Sequence, residues 1–233
     1  MGILEKQGIK NNTVVIFMSD NGSPFPRAKN RLYDSGIKMP FIVRWPDEVR
    51  GGTTTSSLVS SIDIFPTFCE LAGLKIPNTT QGVPFSRILK KPNKQIRKAV
   101  YAEHNWHDFQ AHERSVRTDR YLYIWNAFPE LNANPPGDVA RGTTFQEMIQ
   151  LFNNGALTKK QEDCFIAPRP EEELYDVIND PYQMNNLAGD DQSQRILKKM
   201  RKKLQLWKEE TNDSVPENPK PDRGKRWYEK NNA

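Results

Sequence analysis

The sequence predicts an α/β protein: one layer of strands and helices, then a small C-terminal antiparallel sheet with a helix packed on it. Three observations carry this. Val14-Val-Ile-Phe-Met18 is an unbroken run of β-branched and large apolar residues, which reads as a strand covered on both faces and central in a parallel sheet. Short strand-like segments recur between residues 99 and 125 and again at 173–177, with turn residues between them. Ile196-Leu197, Met200, Leu204 and Trp207 then repeat at helical spacing, with lysines on the opposite side.

Composition sets the outer bounds. With 233 residues, 36% hydrophobic and 27% charged, the chain reads as one or two polar globular domains rather than a disordered segment. No apolar run approaches the roughly 20 residues of a membrane span, and Met1 to Lys10 lacks the apolar core of a signal peptide. The formal net charge of +5 suits an anionic substrate, although charge balance alone defines no site. Cys69 and Cys164 fall in different predicted elements and establish no disulfide, so the redox compartment stays open.

In chain order, Ile3 to Gly8 reads as the last turns of a helix ended by glycine, leading at once into the first strand. A chain that starts this way is expected to be a fragment. The strand stops at Ser19-Asp20-Asn21-Gly22, where two oxygen-bearing side chains precede a glycine that permits a tight turn. Ligands of open α/β sheets sit beyond the carboxyl ends of strands. Asp20 and Asn21 therefore stand where a hard cation would find carboxylate and amide oxygens. The same residues also make an ordinary turn.

The next segment is cationic. Arg27, Lys29, Arg31 and Lys38 fall within a dozen residues, and in an extended segment the alternation of the first three projects them to one side. Cations beside a metal make sense only with an anion between them. Phe41-Ile-Val-Arg-Trp45 then resumes as a second strand, closed by Pro46. Strand, oxygen donors, cationic loop, strand: the order suggests an oxyanion clamp.

These blocks resemble a known family. Val14 to Gly22, Phe25-Pro-Arg-Ala-Lys29 and its continuation to Pro46 are similar to the second half of the catalytic domain of type I sulfatases, nearest to the sulfamidase (heparan N-sulfatase)-like branch. Ser61-Ile-Asp63 to Gly73 and Glu172-Glu-Leu-Tyr175 to Ala188 resemble later segments of that family, so the similarity runs in order over residues 3–210. The resemblance implies a partial alkaline-phosphatase-like sheet layer, with Asp20 and Asn21 as two ligands of a calcium ion and Lys29 as the basic catalytic position that contacts sulfate. Hydrolysis of a sulfate ester or sulfamate builds negative charge that preorganised cations stabilise. Arg27 and Lys38 are weaker candidates for the same anion.

The family also uses a formylglycine made within a Cys/Ser-x-Pro-x-Arg motif, and two aspartates after its first strand. Neither cysteine has that context. Ser23-Pro-Phe-Pro-Arg27 places Phe25 where proline is required, and Asp190-Asp191 follows a C-terminal turn. The nucleophile is thus expected outside this chain, in an N-terminal half that would be its partner. Two ligands alone would hold calcium weakly, since such sites take six to eight oxygens.

Beyond Pro46, Ser57 to Asp63 is expected to be a short strand, with Asp63 capping a helix over Ile64 to Leu71 whose core face is Phe65, Phe68, Leu71 and Ala72. Phe85 to Leu89 is a short amphipathic turn, and the basic stretch Lys90 to Lys98 marks a boundary. The expected domains are 1–98, the catalytic part; 99–212, the small sheet with an insertion and the C-terminal helix; and 213–233, an extended or disordered tail. In the small sheet, Arg114 to Thr118 and Tyr121 to Trp125 form a hairpin about Asp119-Arg120. In the insertion, Thr144 to Asn153 and Leu157 to Glu162 are expected helices.

All three histidines lie in one window, His104 to His112. They match no zinc spacing. As a loop leaving the small sheet, the window suggests a substrate rim: His107 first, His104 second, Trp106 as a sugar-stacking surface. The lysines of residues 198–203 read as a solvated helix face, not a nucleic-acid site. The reading is therefore the C-terminal portion of a calcium-dependent sulfatase acting on a sulfated glycan. The alternatives are a non-catalytic anionic-glycan-binding remnant and a metal-dependent phosphoesterase of the same superfamily. The resemblance further implies a periplasmic, secreted or lysosomal setting.

Overall fold

A short helix, α1 (Gly2–Lys6), precedes β1 (Val15–Met18) in the computed structural model, in which residues 1–46 and 48–227 are described. There follow α2 (Asp34–Ile37), β2 (Phe41–Arg44), α3 (Ile64–Leu71) and α4 (Ser86–Lys90). Three strands come next, β3 (Val100–His107), β4 (Phe109–Arg117) and β5 (Tyr121–Asn126); then α5 (Gly137–Ala140), α6 (Thr143–Asn153), β6 (Glu172–Asp176) and α7 (Gln194–Thr211). The chain divides into two units. The first is Met1–Ser19 with Pro40–Val100, and the second is Asp20–Met39 with the chain from Tyr101 onward.

In the first unit β1 pairs antiparallel with β2, from Val15↔Arg44 to Met18↔Phe41. The expected parallel neighbours are absent among the described residues, where these two strands form a two-stranded sheet. Nor is the strand covered on both faces: the facing pair Phe17 and Ile42 is 65% and 59% exposed. An apolar run reports that a strand can be covered, not what covers it.

α3 has the expected bounds but the opposite buried face. Pro66, Thr67 and Cys69 are buried, whereas Phe65 and Phe68 point outward. A polar anchor fixes this rotation. Thr67 Oγ1 donates to the Asp63 carbonyl at 2.6 Å and accepts from Phe85 N at 2.9 Å. Asp63 is fully buried and accepts from Ser60 N and Val83 N at 2.8 Å each, with Arg97 ion-paired to it. It lies in a 3₁₀ turn, Ser61–Asp63, and residues 57–60 form no strand.

The second unit holds the four-stranded sheet β3-β4-β5-β6. The β4–β5 hairpin turns where expected, with Arg117 opposite Leu122. β6 pairs antiparallel with β5. Leu32 and Tyr33, from the segment before α2, pack with Leu122, Ile124, Tyr175 and Val177 of this sheet. α7 buries Leu197, Met200 and Leu204, each contributing about 1.5–3 kcal/mol, and Trp207 stacks on Tyr101 at 5.2 Å.

The insertion makes a second core of Phe145, Leu157, Cys164 and Phe165. Only the first expected helix forms, as α6; residues 157–161 are turns before a 3₁₀ turn, Glu162–Cys164. The tail is irregular and mostly exposed up to Lys225, with anchors near its end. Arg226 is 2% exposed, and its guanidinium donates to Asp222, to the Asn132 carbonyl at 2.9 Å and to the Gln110 carbonyl at 3.0 Å. Trp227 packs edge-on against Phe165 at 4.8 Å. Residues 213–227 are thus anchored, because arginine and tryptophan supplied the partners that a composition-based reading ignores. Residues 228–233 of the expected tail lie outside the described residues.

Candidate functional site

The loop Asp20–Met39 is folded on itself by two glycines. A Cβ on Gly22 would stand 2.6 Å from the Ser35 carbonyl oxygen and 2.8 Å from the Gly36 Cα. A Cβ on Gly36 would overlap the carbonyls of Arg31 and Ala28. Only residues without side chains allow this approach. The start of the loop, with Asp20 and Asn21, is thereby fixed against its far end. Asp34 adds a second anchor, accepting a bidentate pair from Arg117 at 2.9 and 3.0 Å.

The cationic segment is not extended. Arg27 and Asn30 both have φ of +63°, and tight turns connect Ser23 to Arg31. Arg27, Lys29 and Arg31 nevertheless reach one pocket, the outcome that alternation predicted by a different geometry. The same pocket is lined by His104, His107, Asn132 and Arg169. Lys29 Nζ holds Asp138 Oδ2 at 2.6 Å, and this bond keeps the Asp138 carboxyl below its ordinary pKa.

Arg27 is largely committed elsewhere. It donates to the carbonyls of Tyr182, at 2.9 Å, and of Gln183, and its guanidinium lies 3.8 Å from the centre of the Tyr33 ring. It walls the pocket more than it fills it. Lys38 is exposed at the end of α2.

The histidines lie on strands rather than in a loop. His104 and His107 belong to β3 and His112 to β4, and the left-handed Asp108 (φ +65°) is the whole connection. His104 Nδ1 is 2.9 Å from Glu113 Oε2. His112 is buried between Trp125 and Phe128, and burial, aided by the charge of Arg114, lowers its pKa to about 4. Trp106 does not line the pocket. Its Nε1 donates to the Pro221 carbonyl at 3.0 Å and Lys220 covers its ring at 4.2 Å.

Glu113 is the residue that sequence reasoning missed. It is 2% exposed and meets His104, Arg169 and, at 3.7 Å, Arg31. Burial alone would raise its pKa, but Arg169 and Arg31 overcome that and hold it well below the carboxylate range. Burial likewise opposes the charge of Arg31, and Glu113 and Asp163 more than offset it. The available signal was His112-Glu113-Arg114 in mid-strand. Three successive polar residues contradict a period of two, and in a buried strand they announce a paired network.

The carboxylate of Asp20 is exposed and makes no hydrogen bond or ion pair among the described residues. Asn21 donates from Nδ2 to the Gly22 carbonyl at 2.7 Å. Oxygen donors of this kind fit a hard cation as part of a ligand set. Among the described residues no group of three or more His, Cys, Asp or Glu side chains could hold a metal ion. Cys69 and Cys164 are buried free thiols.

The α/β fold with its antiparallel sheets is that of the alkaline-phosphatase-like and sulfatase class. A solved protein in complex with its substrate D-glucosamine-2-N,6-O-disulfate superposes with a TM-score of 0.66 at 23% identity, over 92% of this chain and 38% of that one. The phosphonate monoester hydrolase of Agrobacterium radiobacter does so with a TM-score of 0.60 at 18% identity, over 90% and 37%. Sequence goes further than fold. Residues 27–132 match the family model of the C-terminal region of N-sulphoglucosamine sulphohydrolase. An ulvan-active sulfatase of Formosa agariphila is 36% identical over 88% of this chain and 34% of its own length. The human N-sulphoglucosamine sulphohydrolase is 30% identical over 90% and 44%. These matches support a type I sulfatase C-terminal region, and the chain spans less than half the length of these relatives. No helix among the described residues is long and apolar enough to cross a membrane.

Proposed function

We propose that this chain supplies the sulfate-binding side and part of the metal site of a sulfatase acting on sulfated glycans, sulfate esters or sulfamates. One observation carries the reading. The loop that begins with Asp20-Asn21 also delivers Lys29, beside Arg31 and His104, to a single cation-lined pocket. Asp20 and Asn21 would provide two oxygens to a calcium ion, which when bound supplies positive charge against the developing sulfate charge. Lys29 adds a mobile point charge, and an entering sulfate competes with Asp138 for it. Arg27 gives a fixed positive wall, and His104 and His107 line the rim that a sugar ring would meet. The formylglycine nucleophile would come from outside these residues. The similarity in fold to a phosphonate monoester hydrolase keeps phosphoester cleavage as a second reading, but the described residues bring no cluster of metal-binding histidines to support it.

The test is sulfate release from N-sulfated glucosamine and from an aryl sulfate. The chain is assayed alone and with a separately expressed sulfatase segment carrying Cys/Ser-x-Pro-x-Arg. Calcium-dependent turnover in the mixture, abolished by Lys29→Ala, is expected. Turnover by the chain alone, or an unaffected Lys29→Ala mixture, would overturn the assignment.

A further inference from the structure

The pocket holds more donors than its own carboxylates use. Arg31 is 7% exposed, and its contacts are long: 3.7 Å to Glu113, 3.4 Å to Asp163 and 3.4 Å to the Tyr33 hydroxyl. Its Nε makes no hydrogen bond among the described residues, although the atom is buried. Asn132 is 3% exposed and has the same property at Nδ2. Its Oδ1, 3.3 Å from Arg226 Nη1, fixes which end of the amide is which. His104 differs. Glu113, ionised and so only an acceptor, takes the Nδ1 proton and leaves the buried Nε2 of a neutral ring as an acceptor without a partner.

Buried donors without partners cost stability. A concentration of them on one concave surface points to a ligand rich in acceptor oxygens. Lys29 is not one of them, since it is paired with Asp138 on the same pocket's edge. We infer that Arg31 and Asn132 form a second anion subsite, taking a carboxylate or sulfate group of the sugar other than the sulfate held at Lys29, with His104 Nε2 accepting from a sugar hydroxyl. The inference rests on the sulfatase reading and narrows it. The substrate is a dianionic sugar unit, and the subsite is a specificity determinant, not part of the bond cleavage.

The test is calorimetric binding to the full chain of inorganic sulfate, glucosamine 2-N-sulfate, glucosamine 2-N,6-O-disulfate and an N-sulfated glucosamine linked to a uronate. The last two separate a sulfate from a carboxylate source. One of them is expected to bind about tenfold tighter than the monosulfate, the effect of one charged hydrogen bond. Asn132→Asp keeps the acceptor for Arg226 and replaces the donor by a repelling oxygen. It is expected to bring that ratio to about one. Equal affinities for all three sugars in the wild-type chain, or a ratio unmoved by Asn132→Asp, would overturn the second subsite while leaving the sulfate site intact. Binding of none of the probes would remove the sulfatase reading of the pocket, and this inference with it.

Discussion

Lys29 Nζ and Asp138 Oδ2 stand 2.6 Å apart, joining the loop of residues 20–39 to the start of α5. The proposed sulfate-binding cation is therefore occupied by a carboxylate that a ligand must displace. Asp138 is about half exposed, so the contact is worth little in stability. Its removal acts on binding instead. Asp138→Asn is expected to strengthen inorganic sulfate binding ~2- to 5-fold, the range of an exposed ion pair, whereas Lys29→Ala weakens it. Titration calorimetry at low salt decides; weaker binding by Asp138→Asn would show that the carboxylate positions Lys29 rather than competes for it.

Glu113 carries a different kind of prediction, because it is buried against Arg31, Arg169 and His104. Truncating it leaves two buried guanidinium groups without their shared partner. Glu113→Ala is expected to cost about 3–5 kcal/mol, read from urea unfolding at pH 7. Its native pKa lies below the unfolded value near 4.5. The unfolded chain therefore binds more protons between those two values, and stability from Glu113 is present above pH 4.5 and lost as the pH falls below it. Glu113→Gln is expected to flatten the acid limb of the stability curve.

That network shows where sequence patterning stops. α7 was legible because apolar residues at 3.6-residue spacing leave few alternatives, and the β4–β5 hairpin because Asp119-Arg120 separates two β-branched and aromatic runs. Asp20, Asn21 and Lys29 were nominated by their order along the chain. Glu113 was not, because its partner Arg169 lies 56 residues away and pattern rules assign charged residues to solvent. Phe65 and Phe68 failed for a related reason. Hydrophobicity nominated a face, while the buried hydrogen bonds of Thr67 chose the rotation.

His112 gives a second, separable pH dependence. It is buried and neutral, with its pKa lowered from 6.5 to about 4. In the unfolded chain it protonates first, so stability falls as the pH drops from about 6.5 towards 4. His112→Phe keeps a ring between Trp125 and Phe128 and is expected to remove this slope without altering the limb below pH 4.5. Chemical denaturation at half-unit pH steps distinguishes the two residues; an unchanged slope in His112→Phe would assign it elsewhere.

Gly22 tests whether the loop that presents the proposed metal donors is set by backbone contact. An added methyl would press on the Ser35 carbonyl at 2.6 Å and the Gly36 Cα at 2.8 Å, and neither atom belongs to a side chain that can swing aside. Gly22→Ala is expected to destabilise the chain by about 1–3 kcal/mol, and to weaken calcium binding at Asp20-Asn21 more than Asp138→Asn does. The reason is geometric: the methyl separates the two ends of the loop and moves the donors, whereas the Asp138 side chain pairs with Lys29. Calcium titration of both variants, with thermal melts alongside, makes the comparison. Equal calcium affinities in Gly22→Ala and wild type, despite a lowered melting temperature, would show that Asp20 and Asn21 do not depend on this packing for their position.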